Sequence, residues 1–105
     1  MTLKELKKIL DSTGFPVAYS HFKEYTKAPF ITYLVFDSNN YFADNKVWKK
    51  TDIIQIELYT DKKNINIEEK LEKILDDNEI CYTSSEMYIE SQELFQKIYE
   101  MEIIK

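Results

Sequence analysis

Hydrophobic positions near the start of the chain recur at helical spacing. Leu3, Leu6 and Leu10 share one stripe with Ile9 beside it, while Lys4, Lys7, Lys8 and Asp11 fall on the opposite side, so a first helix is predicted to run to about Ser12. Thr2 followed by Glu5 has the spacing of a capping box. Gly14, the one glycine in the chain, stands where a left-handed cap is needed, and Pro16 keeps the helix from resuming. The period then changes. Val17 to Phe22 and Phe30 to Phe36 are rich in β-branched and aromatic residues, as strands are, with a turn through Pro29 between them.

The stretch from Lys46 to Lys63 reads as the longest strand and the central one. Ile54, Ile56 and Leu58 fall on one face of an extended chain, and Ile53, Gln55, Glu57 and Tyr59 on the other. Between the second and third strands, Asp37 to Asn45 reads as a polar loop, interrupted only by Tyr41, Phe42 and Ala43. A second helix is expected from a capping box at Asn66 and Glu69, with Ile67, Leu71, Ile74 and Leu75 as its stripe and an end near Asp77. Glu68 and Glu69 fall in its first turn, where the helix dipole favours them. Ile80 to Tyr82 opens a fourth strand that continues through Met87 to Glu90, and Leu94 to Ile104 forms a fifth. In that fifth strand Phe95, Tyr99, Met101 and Ile103 alternate with polar neighbours, and Lys97 breaks the apolar face as though the strand began at a sheet edge.

The order helix, three strands, helix, two strands implies a single α+β domain over residues 1–105. Its expected form is a mostly antiparallel sheet of about five strands with both helices on one face.

Composition narrows the function. A net charge of −5 and the absence of arginine weigh against phosphate or base recognition and against anionic membranes. Trp48 with Lys46, Lys49 and Lys50 reads as a strand entrance whose lysines discourage edge pairing, in preference to a nucleic-acid contact. Cys81 is single, which excludes an intrachain disulfide, and it is expected to be a buried structural residue among acidic neighbours that do not activate a thiol. The opening MTLKELKKIL lacks the apolar run of a signal peptide, and the protein is expected in the cytoplasm.

His21, the one histidine, has no nucleophile or orienting partner beside it in sequence and reads as a strand residue. The acidic stretch from Asp37 fails as a calcium loop, because Tyr41, Phe42 and Trp48 stand at the fifth, sixth and twelfth positions. With one glycine there is no phosphate-cradling loop. No cofactor, metal or catalytic residue is expected, and the chain reads as a non-enzyme. The aromatic content, eight Tyr and six Phe, exceeds what a small core needs, which suits a protein that works through contacts.

Ala43-Asp-Asn-Lys-Val-Trp-Lys-Lys, followed by Ile-Glu-Leu-Tyr-Thr-Asp-Lys-Lys and a Glu-rich helix, resembles small head–tail connection proteins of long-tailed phages and prophages of Gram-positive bacteria: tail-terminator, tail-completion or minor capsid proteins. The helix and strand layout is similar to the tail-terminator fold over the whole chain. The resemblance implies a structural subunit that assembles as a ring, commonly hexameric, on the head-proximal end of the tail tube. Its partners would be itself, the tail tube protein and the head connector. It would be made in the host cytoplasm and carried in the virion. Tyr41, Phe42, Trp48, Lys49 and Lys50 are the expected interface residues. The alternative from charge and exposed tyrosine is an acidic inhibitor or antitoxin-like protein that covers a basic partner.

Overall fold

The computed structural model describes residues 1–43 and 46–104; for Tyr41, Phe42, Ala43, Val47 and Trp48 the description is of the backbone alone. Helix α1 spans Leu3–Asp11, and the Thr2 Oγ1 accepts the Glu5 N–H at 3.1 Å. A Lys7–Asp11 ion pair ties its exposed side. The Thr13 hydroxyl donates to the Leu10 carbonyl, and Gly14 takes φ +84°, a conformation that favours glycine, which releases the chain into the first strand.

Strand β1 is Val17–Tyr19, shorter than the expected run to Phe22. Ser20 adopts φ 67° and donates the last bond to the Tyr33 carbonyl, after which the chain leaves the sheet. Residues 20–29 cross back, and β2, Phe30–Ser38, pairs with β1 in parallel.

The expected single strand from Lys46 to Lys63 is divided. Tyr41–Ala43 (β3) and Lys46–Lys49 (β4) form a separate antiparallel ribbon, and Thr51–Thr60 (β5) belongs to the main sheet. The break falls at a clamp: the Asn39 N–H donates to the Thr51 carbonyl, and the Thr51 hydroxyl donates to the Asn39 carbonyl. This closes the sheet and starts the ribbon. The polar stretch expected as a loop is therefore partly strand.

Helix α2 spans Ile65–Asp77, and its cap lies two residues before the Asn66 expected from sequence. Asn64 is the cap, and its side chain accepts the Ile67 N–H at 3.2 Å. Either asparagine could cap; starting at Asn64 leaves Ile65 exposed and turns Glu68 inward, where it finds lysine partners. Glu79 at φ 58° ends the helix, and the Ile80 N–H donates to the Leu75 carbonyl. Ile80 thus drops into the core and does not open a strand. Strand β6 starts later, at Thr83, and runs to Ile89. A short 3-10 turn over Glu90–Gln92 leads into β7, Leu94–Ile104, which at 11 residues is the longest strand.

The main sheet has the order β1-β2-β5-β7-β6, antiparallel except for β1 with β2, and β5 is central as expected. Ile31 and Tyr33 of β2, Ile54, Ile56 and Leu58 of β5, and Tyr99, Met101 and Ile103 of β7 lie on one face. They share a single buried cluster with Leu6 and Leu10 of α1 and Leu71 and Leu75 of α2. This is a two-layer α+β domain with its helices on one side. The Cα radius of gyration is 14.9 Å, above the ~13 Å of a compact chain of this length, as expected when a ribbon stands off the main sheet.

Candidate functional site

The register of the main sheet makes its two ends unequal. β1 reaches β2 only at Ile31 to Tyr33, and β6 reaches β7 only from Leu94 to Glu100. Beyond those pairs, among the described residues, the sheet is three strands wide: β2 through Ser38, β5 from Thr51 and β7 to Ile104. Its outer edges there are the end of β2 and residues 101–104 of β7. The Val35 N–H donates to the Tyr19 hydroxyl at 3.2 Å, which covers one backbone donor of the β2 edge. Phe36 and Ile104, at 57% and 55% exposure, flank this narrow end.

The β3–β4 ribbon leaves from the same end. Its register pairs Tyr41 with Lys49, Phe42 with Val47 and Ala43 with Lys46, with an irregularity between Tyr41 and Phe42. The backbone thus brings Tyr41, Phe42, Trp48 and Lys49 onto one ribbon, with Lys50 at its junction with β5. Lys46 and Lys50 are exposed and Lys49 is half-buried. The side chains of Tyr41, Phe42 and Trp48 lie outside the described ones.

Beside β7, residues 79–83 and the strand's terminal segment enclose a groove of about 650 Å³. Ile53, Ile80, Met101 and Ile103 supply its apolar surface, and Glu79, Glu100 and Glu102 its charge. Cys81 also lines it and is exposed, contrary to the expectation of burial. The cause is alternation: Ile80 is buried and Tyr82 packs edge-on to Tyr99 at 5.3 Å, which turns the intervening thiol outward.

The wide end is polar and closed. On the face away from the helices the Tyr59 hydroxyl donates to Glu57 Oε2 at 2.6 Å. Gln96 Nε2 donates to the same oxygen at 2.5 Å and to the Tyr59 hydroxyl at 2.8 Å. Burial first, then the bond to Glu57, pushes the Tyr59 hydroxyl up to about 12. Its proton is held by Glu57, so at neutral pH the phenol is a neutral donor. Phe30 stacks on Tyr59 at 4.8 Å, and Phe22 meets Phe30 edge-on. A cleft of about 610 Å³ opens beside them, with His21, Tyr25 and Thr32 on its walls. The buried Thr32 Oγ1 lies near the Tyr59 hydroxyl without a hydrogen bond of ordinary geometry. His21 is exposed, and its Nδ1 is 3.2 Å from the Ser20 hydroxyl. Glu57 and Tyr59 were visible in sequence as one mixed face. Gln96 was not, because its place opposite Tyr59 depends on the β5–β7 register.

On the helix side Glu68 is buried and meets Lys63 at 2.7 Å and Lys97 at 3.8 Å, while Lys63 also reaches Glu86 at 2.5 Å. The hydrogen bond from Lys63 to Glu68, then the one to Glu86, raises the lysine above its ordinary pKa. Lys97 is therefore no sign of a sheet edge: β7 lies inside the sheet, and Lys97 breaks the apolar face to neutralise a glutamate from α2. Tyr99 donates to Glu72 at 2.8 Å, and burial, reinforced by that carboxylate, raises the phenol's pKa.

Among the described residues no three of His, Cys, Asp and Glu gather as a metal-holding cluster, and no helix is long and apolar enough to cross a membrane. No protein-family model and no curated protein matches the chain.

Proposed function

We propose that this protein is a structural subunit of a long-tailed phage or prophage, a tail terminator or head–tail joining protein that assembles as a ring on the end of the tail tube. One observation carries the reading: the ribbon forms a sheet of its own at the end where, among the described residues, both edges of the main sheet run on without a neighbouring strand. A ribbon and open edges suit a subunit whose work is contact with copies and partners. The helix and strand order, with Lys49 and Lys50 presented at the ribbon, supports the same view. At the wide end Glu57, Tyr59 and Gln96 have one another as partners.

The subunit would bind itself, the tail tube protein and the head connector, and would be carried in the virion. Light scattering on a size-exclusion column and negative-stain images, with and without tail tubes from the encoding phage, test this. Rings, free or capping tubes, are expected. A protein that stays monomeric at high concentration and never caps a tube contradicts it. Capture of one basic host protein in a salt-sensitive complex would favour an acidic inhibitor, to which the net charge of −5 is also suited.

A further inference from the structure

We propose that the groove beside the end of β7 receives the β3–β4 ribbon of a second copy of this chain, so that neighbouring subunits join ribbon to groove. The inference rests on the ring reading and supplies its interface. Three features point to this occupant. β6 stops at Thr83 opposite Glu100, so the backbone of residues 101–104 pairs with β5 on one side and faces the groove on the other. An added extended segment fits such an edge. The groove's charged side chains, Glu79, Glu100 and Glu102, are acidic and outnumber the amino terminus of Met1, which also lines it, whereas the ribbon and its junction carry Lys46, Lys49 and Lys50. The surfaces are complementary in sign, so each copy offers what the next requires.

The third feature is position. Thr51, at the foot of the ribbon, pairs with Ile104, at the end of the groove strand, so both surfaces lie at one end of the sheet. From Asn40 to Ala43 an extended chain reaches about 10 Å, the spacing of two packed sheets and so far enough to meet a neighbour. A contact between two different surfaces of the same chain is heterologous, and it closes into a ring when the rotation between copies closes. With ribbon and groove at one level, successive copies can meet without rising along the axis.

Cys81, exposed in the groove, supplies the test. Lys46→Cys puts a thiol on the ribbon, and mild oxidation by copper–phenanthroline in air then joins ribbon to groove between copies as a disulfide. The expected result is a ladder of dimer, trimer and higher species on a non-reducing gel, lost above dimer when Cys81→Ser is added. Lys8→Cys, on the exposed side of α1 and outside both the groove lining and the ribbon, should give no ladder. Dimers alone from Lys46→Cys, no cross-link at either low or high concentration, or an equal ladder from Lys8→Cys would overturn the inference. Tube capping, scored separately without oxidant, keeps the readings apart: capping without a ladder removes this interface and leaves the ring subunit. A ladder without capping does the reverse.

Discussion

The two ends of the sheet handle their polar groups differently. At the wide end Glu57 and Glu68 are both buried, one on each face, and each is closed by one partner near it in sequence, Tyr59 or Lys63, and one from β7, Gln96 or Lys97. Glu57 takes neutral donors, Tyr59 and Gln96, whereas Glu68 takes two cations, Lys63 and Lys97. At the narrow end, backbone edges continue past their neighbours, apolar side chains are exposed, and a basic ribbon projects from a chain of net charge −5. Polar burial without partners costs stability, so the closed end fixes the fold. Open edges invite pairing, which natural sheets usually block, and the proposed assembly would put these to use.

Ile56→Asp should have the largest effect, because it sets an unpaired charge among Tyr33, Leu58 and Tyr99. A loss of about 4 kcal/mol or more is expected, enough to abolish the folded circular dichroism signal. Gln96→Leu should cost about 2 kcal/mol in urea unfolding, because Glu57 and Tyr59 each lose a donor in a buried setting. If it costs nothing, the wide end is not held by its polar network.

Alkaline pH sharpens the same point. Tyr59 has a folded pKa raised from 10.0 to about 12, so the folded protein keeps a proton that the unfolded chain releases. Its contribution is whole below pH 10 and is lost as the pH climbs towards 12. Tyr59→Phe should flatten the fall in urea midpoint over that window, and phenolate absorbance should show one late-titrating tyrosine fewer. At the narrow end Phe42→Asp should change stability by no more than about 0.5 kcal/mol while impairing assembly on tail tubes. Unfolding by that change would make the ribbon part of the core.

Local pattern carried much of the fold. Leu6 and Leu10, Leu71 and Leu75, and Ile54, Ile56 and Leu58 announced their buried faces through spacing alone. The Thr2 cap and the Gly14 conformation were equally readable, since each is decided within a few residues. What depended on register was hidden. Lys97 looked like an edge signal because its partner Glu68 lies on a helix far back in the chain, and Gln96 looked like an ordinary polar alternation. Asn64 and Asn66 are equivalent as caps until Glu68 must find Lys63. From sequence β3 reads as loop and β4 as the start of the central strand, because the clamp between Asn39 and Thr51, which divides the ribbon from β5, joins residues at the ends of two separate strands. The groove beside β7 was illegible for the same reason: it exists where β6 stops.

The central claim, that the narrow end is an assembly surface, is tested most directly by negative-stain imaging of the wild-type protein and Phe42→Asp on tail tubes, with folding of both checked by circular dichroism. Wild-type rings capping the tubes and a folded variant that leaves them bare is the expected result. Equal capping by both, or no capping by the wild type under any condition, would contradict it.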